Sequence, residues 1–81
     1  MARYAKETKL QPDEVIRQAE AFFGAGGLGM KVIERSECCL SFEGSGGHVT
    51  VSAARCEPDR TDVDLETREW DYHVKRFMEK L

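Results

Sequence analysis

The chain has 81 residues and a net charge of −3 at pH 7, with 41% hydrophobic and 33% charged residues. A chain of this length forms a single domain, spanning residues 1–81, with a small core. The acidic balance excludes the basic surface of a general nucleic-acid binder, and no run approaches the ~20 apolar residues of a membrane span.

The first seven residues contain no apolar segment of the kind found in secretory signals. The chain has three cysteines, an odd number, and two of them, Cys38 and Cys39, are adjacent. Such a set is not typical of a disulfide framework and favours a reducing compartment. We therefore expect a cytoplasmic protein that contacts neither membrane nor nucleic acid.

The first ten residues are polar, but Tyr4, Thr8 and Leu10 lie at even spacing. This spacing favours a short edge strand, with a flexible tail as the alternative. Pro12 supports the strand, because residues before a proline prefer an extended backbone.

Pro12 also begins a pattern typical of an amphipathic helix that ends near Gly24. Proline suits the first helical position, and Asp13 and Glu14 suit the positive end of a helix. A single stripe contains the apolar residues, which are Val15, Ile16, Ala19, Phe22 and Phe23.

The segment from Leu28 to Arg68 alternates apolar and polar residues and predicts four strands. The first strand runs from Leu28 to Glu34, where Ile33 breaks the alternation. Successive side chains in a strand point to opposite faces, so the pattern predicts an antiparallel sheet with one dry face. The dry side of the other three strands comprises Cys38, Leu40, Phe42, Val49, Val51, Ala53, Val63 and Leu65.

A second helix is predicted from Glu69 to Lys80. Its apolar stripe starts at Trp70, which we expect in the core, and Tyr72 lies off the stripe and is expected to be exposed. The stripe continues through Val74, Phe77, Met78 and Leu81.

The pairing register of the strands provides an internal test. If Glu43 lies opposite His48 and Cys56 lies opposite Arg60, the apolar residues of three strands fall opposite one another. The two hairpins agree with each other, which favours a meander. The other face is then polar, and we expect it to contact a ligand or partner through Glu43, His48, Thr50, Ser52, Asp64, Glu66 and Arg68.

The same register separates the candidate metal ligands. It places Cys38 in the core and Cys39 and Cys56 outside it, with His48 ~13 Å from Cys39. That distance is too long for both side chains to bind one metal ion, and Cys39 and Cys56 are too far apart for a disulfide. We therefore predict no metal site and no cofactor.

Three carboxylates, Asp62, Asp64 and Glu66, form a row on the polar face. Such a row could hold a hard cation, but more often it is solvated and its repulsion is relieved by basic neighbours. The basic residues expected to provide this relief are Lys31, Arg35, Lys6 and Lys9.

His48 and Glu43 are the pair that most resembles acid–base machinery. A flat sheet face offers no oxyanion donors, so a cross-strand ion pair is the simpler interpretation, and we assign no catalytic residue. The stretch from Gly24 to Gly29 matches G-x-G-x-x-G, but it follows a helix and precedes a strand, the reverse of a dinucleotide-binding motif.

These elements predict an α+β two-layer sandwich, in which two helices cover one face of a four- or five-stranded antiparallel meander. The order is β-α-β-β-β-β-α if the leading segment is a strand and α-β-β-β-β-α if it is not. With the strand, the order resembles small helix-grip and TATA-binding-protein-like topologies. That resemblance is in element order alone and implies no functional residue.

The leading functional hypothesis is a small non-enzymatic binding or assembly module. It would use the polar face or a sheet edge, as a homodimer or with another protein. One alternative is a small-molecule carrier, with a pocket between the last helix and the sheet near Met30, Phe42, Trp70 and Phe77. The other is an enzyme that uses His48 and Glu43.

Overall fold

The structure is a computed structural model that describes residues 2–36 and 38–81, apart from the side chain of Cys56. The expectation that Cys56 is a surface thiol therefore lies outside the described part. Along the chain the elements are β1 (Ala2–Thr8), α1 (Pro12–Phe23), β2 (Lys31–Arg35), β3 (Cys39–Gly44), β4 (Gly47–Glu57), β5 (Arg60–Arg68) and α2 (Asp71–Met78).

The five strands form one antiparallel sheet in the order β1-β5-β4-β3-β2. This confirms the predicted α+β sandwich and selects its five-stranded form, in which the leading segment is an edge strand. Within the described residues, none of the helices has the length and apolarity needed to cross a bilayer.

Both helices lie on one face of the sheet because their apolar stripes match its dry side. The ring of Phe23 in α1 lies 5.4 Å from that of Phe42 in β3 and 5.3 Å from that of Phe77 in α2, measured between centroids. All three side chains are fully buried. Two of the residues expected to line a carrier pocket, Phe42 and Phe77, are therefore packed against α1. The buried apolar residues are Val15, Ile16, Ala19, Phe23, Met30, Leu40, Phe42, Val49, Val51, Ala53, Val63, Leu65, Val74 and Phe77.

Helix α1 has the bounds that its sequence pattern predicts. Pro12 occupies the start, Asp13 and Glu14 lie in the first turn, and the helix ends at Phe23. The N–H of Gly24 then donates to the carbonyl oxygen of Glu20 at 2.9 Å.

Helix α2 begins at Asp71, two residues later than predicted. The cause is Glu69, whose φ of 74° lies outside the helical region. Trp70, expected in the core, is half-buried at the start of the helix and packs against the core, and Tyr72 is 65% exposed, as expected.

Two polar side chains on the helix-facing side of β1 bind opposite ends of α2. The hydroxyl of Tyr4 donates to Oδ2 of Asp71 at 2.7 Å, and this hydrogen bond raises the pKa of Tyr4. Nζ of Lys6 donates to the carbonyl oxygen of Met78 at 2.7 Å, where a cation is favoured at the negative end of the helix. Strand β1 is thereby fixed along the length of α2.

The β3–β4 hairpin is tighter than the predicted four-residue loop. Glu43 lies opposite His48 as predicted, but Gly44 also pairs with Gly47, which leaves a two-residue turn. Both turn residues, Ser45 and Gly46, have positive φ, 49° and 81°, as a type I′ turn requires.

Strand β2 is shorter than predicted, beginning at Lys31 instead of Leu28, and it contains a bulge. Val32 lies opposite Phe42 and Glu34 lies opposite Ser41, so Ile33 is the extra residue and is 53% exposed. The interruption that Ile33 causes in the alternating pattern therefore has a structural origin.

The β4–β5 hairpin follows the predicted register up to Arg55, which lies opposite Thr61. A second irregularity then shifts the pairing, so that Glu57, and not Cys56, lies opposite Arg60. The hairpin closes with two residues between the strands in place of three.

The prediction that Cys38 lies in the core is wrong, because this side chain is exposed. The backbone N–H of Ser36 donates to the carbonyl oxygen of Cys39 at 2.9 Å, so the chain reverses between residues 36 and 39. Cys38 lies within that reversal, where the alternation of strand side chains no longer applies.

Candidate functional site

The candidate site is the face of the sheet that carries no helix, here called the polar face. The registers of β3, β4 and β5 place all seven predicted residues on it. They form three rows across the strands: Glu43–His48–Arg68, Ser41–Thr50–Glu66 and Cys39–Ser52–Asp64. Their role in binding stays a prediction.

The centre of the polar face is made of small uncharged side chains. Oγ of Ser41 and Oγ1 of Thr50 lie 3.3 Å apart across β3 and β4. Ser41 is only 8% exposed, although it lies on the side without helices. Because these hydroxyls bond to one another, the centre is a flat, weakly polar patch.

The β5 side of the polar face is acidic, and β1 extends that acidity. Glu7 of β1 lies opposite Asp62, and Ala5 lies opposite Asp64. Arg3 lies opposite Glu66 and provides one positive charge at the end of the row. Through Glu7, the acidic surface therefore extends onto β1, the edge strand of the sheet.

The basic residues expected to relieve this row do not reach it. Lys31 lies opposite Glu43 at the far side of the sheet. Arg35 binds Glu20 on the helix side, and Lys6 also points to the helix side, where it binds α2. Lys9 follows the end of β1.

The polar face carries shallow depressions and no deep cleft among the pockets found in the described residues. One depression of ≈ 330 Å³ lies between β1 and β5, and its lining residues are Ala5, Lys6, Glu7, Asp62, Val63 and Asp64. Another of ≈ 330 Å³ lies at the β3–β4 turn, where Glu43, His48 and Arg68 line it. Both are open to solvent.

His48 and Glu43 lie opposite each other, but no ion pair or hydrogen bond joins their side chains in the part of the chain that the structure describes. The predicted cross-strand ion pair is therefore not formed. Catalysis by histidine needs a base oriented by a third group, and no such contact to His48 is found among the described side chains. The enzyme hypothesis gains no support from this geometry.

Across the described residues, no group of three or more histidine, cysteine, aspartate or glutamate side chains is arranged to hold a metal ion. The carboxylates of β5 alternate with inward-facing residues and are spread along a straight strand. A hard cation would need more oxygen ligands, closer together, than this row offers.

Two features of the surface were not predicted. The first is that Arg3 and Glu7 lie on either side of Ala5 along the outer edge of β1; the sequence predicts the edge strand itself but not this arrangement. The second is a contact between Cys38 and Cys39, whose Sγ atoms lie 2.7 Å apart. The alternating pattern contains no signal for this contact and predicts the opposite.

Comparison with known proteins adds no family to these observations. No protein-family model matches the chain, and no curated protein matches it.

Proposed function

We propose that this protein is a non-enzymatic binding module that assembles as a homodimer through the outer edge of β1. The observation that supports the proposal most strongly is that β1 is an uninterrupted edge strand whose sequence is complementary to itself in an antiparallel pairing. The dimer joins two five-stranded sheets into one and doubles the polar face. Both thiols of the Cys38–Cys39 pair are free, which is consistent with the cytoplasm as the expected compartment.

The two edges of the sheet differ in their capacity to accept another strand. All seven residues of β1 pair with β5 without a register shift, and no strand among the described residues lies on its other side. Strand β2 has five residues and is interrupted by the bulge at Ile33. Bulges and short length protect an edge against pairing, so β1 is the more available edge.

The hydrogen-bonding direction of each strand follows from the β3–β4 hairpin. The closing pair of a two-residue hairpin, here Gly44 and Gly47, is hydrogen-bonded, and such pairs alternate along an antiparallel ladder. The bond from the N–H of Ala53 to the carbonyl oxygen of Cys38, at 2.8 Å, falls where this alternation places it. The alternation can therefore be followed across the sheet.

Through the registers of β4 and β5, this alternation places the backbone N–H and C=O groups of the even-numbered β1 residues on the side of β5. The N–H and C=O groups of Arg3, Ala5 and Glu7 then point away from the sheet. A second copy of β1 has the same three residues free, so two antiparallel copies satisfy one another's backbone groups.

The centre of β1 is Ala5, and a twofold axis there gives the greatest overlap of two copies. In that register Arg3 lies opposite the second copy's Glu7 on the polar face. On the helix side Tyr4 lies opposite the second copy's Lys6, while both side chains stay bound to α2 of their own chain. The register with the most backbone pairs is thus also the one with complementary charges.

Neighbouring registers lose this match. Moving the axis to Lys6 sets Arg3 against the second copy's Lys9, which is a like-charge pair, and leaves Glu7 opposite Ala5. Like charges directly opposite in a sheet are destabilising. The charges of β1 therefore specify one register instead of merely protecting the edge.

Charge reversal tests the pairing. Arg3→Glu and Glu7→Arg each replace both attractive cross-strand pairs with repulsive ones, and each is expected to raise the dimer Kd by at least about tenfold. An equimolar mixture of the two variants restores both attractive pairs, so it is expected to form a heterodimer. Molecular mass is measured by light scattering over a concentration series. A wild-type monomer at every concentration, or variants that dimerise as well as wild type, would overturn the proposal.

A proline substitution tests pairing through the outer edge of β1 in a variant that is expected to fold. Ala5→Pro removes an N–H that points outward, and proline is tolerated on an edge strand at such a position, so the variant is expected to fold and to remain monomeric. Lys6→Pro is the matched control, because it removes an N–H bonded to β5 and is expected to destabilise the protein. A folded Ala5→Pro variant that still dimerises with wild-type affinity would contradict pairing through β1.

A further inference from the structure

The reversal between β2 and β3 brings two neighbouring thiols into contact. Sγ of Cys38 lies 2.7 Å from Sγ of Cys39 and 3.8 Å from Oγ of Ser36. In an extended strand, adjacent side chains point to opposite faces and their sulfur atoms cannot meet. The contact exists because Cys38 lies in the reversal and Cys39 is the first residue of β3.

The two thiols differ in exposure and in proton affinity. Cys38 is exposed and Cys39 is half-buried beside Ser52, its opposite neighbour in β4. Hydrogen bonds from Cys38 and then from Ser52 lower the pKa of the Cys39 thiol, whereas the contact with Cys39 raises the pKa of Cys38. Cys39 is thus the better nucleophile, and Cys38 retains a proton next to it.

We propose that Cys38 and Cys39 form a peroxide-sensitive dithiol that closes to a disulfide between adjacent residues. The Cys39 thiolate attacks one oxygen of hydrogen peroxide, the O–O bond breaks, and the leaving hydroxide takes a proton to become water. Sγ of Cys38 then attacks the sulfenic acid at Cys39, the S–O bond breaks, and the departing hydroxide takes the Cys38 proton as a second water. Two thiols and one peroxide give one disulfide and two waters.

Adjacency makes the second step fast and the product easy to reduce. The resolving thiol is already in contact with the sulfur that is oxidised, so no chain segment has to be ordered for the reaction. The Cα atoms of neighbouring residues are only ~3.8 Å apart, shorter than disulfides usually span, and strained disulfides are the readily reduced ones. The dithiol therefore cycles with a thiol reductant instead of forming a structural crosslink.

The location of the pair keeps its chemistry separate from dimer formation. Cys39 lies in the row Cys39–Ser52–Asp64–Ala5, at the opposite end from β1. Oxidation is therefore expected to leave the molecular mass of the assembly unchanged, and failure of either proposal can be recognised without the other.

The test uses the full chain with Cys56→Ser, so that only the adjacent pair can react. The reduced protein is titrated with hydrogen peroxide while free thiols and intact mass are measured. We expect two thiols to disappear for each peroxide consumed, with a loss of two hydrogen atoms in mass, and full recovery with dithiothreitol. Peptide mapping should place the bond within one chain.

Two single variants assign the roles. Cys38→Ser is expected to react at Cys39 but to proceed to the sulfinic acid, because the resolving thiol is gone. Cys39→Ser removes the thiol assigned to the first step and is expected to form no intrachain disulfide, because Cys38 then has no neighbouring thiol. Two oxygen atoms added to Cys39 with Cys38 intact, disulfides only between chains, or no loss of thiols would each overturn the proposal.

Discussion

The contact of Trp70 with the β3–β4 turn shows how one side chain determines the residues around it. Its indole N–H donates to the carbonyl oxygen of Gly44 at 3.0 Å. A Cβ atom on Gly47 would lie 2.8 Å from Cδ1 of Trp70 and closer still to the backbone oxygen of Arg68. Glycine is therefore required at position 47 by the Arg68 backbone and the indole ring, whereas a Cβ atom on Gly44 would make only ordinary contacts with Met30 and Trp70.

Two alanine substitutions compare the cost of a positive φ, at Gly46, with the cost of a close approach to neighbouring atoms, at Gly47. Gly46→Ala meets open space and costs only the penalty for its positive φ, about 1 kcal/mol of unfolding free energy. Gly47→Ala has to displace backbone and the indole, and is expected to cost up to about 3 kcal/mol. Urea unfolding measures both free energies, and the tryptophan emission should shift in Gly47→Ala alone. Equal costs with unchanged emission in both variants would show that the ring does not restrict position 47.

Among the elements, β2 has a sheet neighbour on one side only, and an ion pair joins it to α1. Nη1 of Arg35 donates to Oε1 of Glu20 at 2.7 Å, and a second such bond joins the same two groups. The hydrogen bond from Arg35 lowers the pKa of the Glu20 carboxyl. This pair connects the edge strand to α1 on the side opposite the polar face.

The ion pair predicts a pH dependence. A carboxyl whose folded pKa lies below its unfolded value stabilises the protein above the unfolded pKa, and this contribution is lost as pH falls through the folded pKa. Glu20→Gln is therefore expected to be less stable than wild type at neutral pH, with the difference shrinking below pH ~4.5. Unfolding midpoints at several pH values measure it, with Glu14→Gln, whose partner Arg17 lies on the same helix, as the control. A difference that is constant with pH would contradict the role of the pair.

The elements differ in how far their sequences determine them. Strands β3 to β5 could be predicted in register, because Phe42, Val49 and Leu65 each need one particular neighbour to keep the core apolar. The exposure of Cys38 could not be predicted in this way, because Cys38 precedes β3, where the alternation of strand side chains does not apply. The position of Lys6 was missed for a related reason: its charge indicated the solvent face, whereas a helix carbonyl binds it.

At the scale of the whole molecule, the proposed dimer would give β1 two roles, carried by alternate residues of the strand. The side chains of Tyr4 and Lys6 bind α2, and their backbone N–H and C=O groups face β5. Both sets of contacts belong to the folded monomer. The backbone groups of Arg3, Ala5 and Glu7 point outward and are the ones that would pair in the proposed dimer, although the Glu7 carboxylate also binds Arg60 of β5. Such a division would let the outer edge be altered without unfolding the protein.

Hydrogen exchange can distinguish the two sets of backbone amides in β1. The amides of Tyr4 and Lys6 are expected to be protected at every protein concentration. Those of Arg3, Ala5 and Glu7 are expected to exchange quickly in dilute solution and to slow as the concentration rises through the dimer Kd, by on the order of tenfold or more. Exchange rates that do not depend on concentration, or protection that appears at all five amides together, would argue for another interface.

In the proposed dimer, the bulge in β2 would determine where assembly stops. When two sheets join through β1, both outward edges of the combined sheet are copies of β2. Each presents five residues, broken at Ile33, to any further strand. An edge of this kind is a poor template for continued strand addition, so the proposed dimer would be a closed pair and not the first unit of a growing fibre. Ile33, which interrupts the alternating sequence pattern, would then limit further association of the sheets.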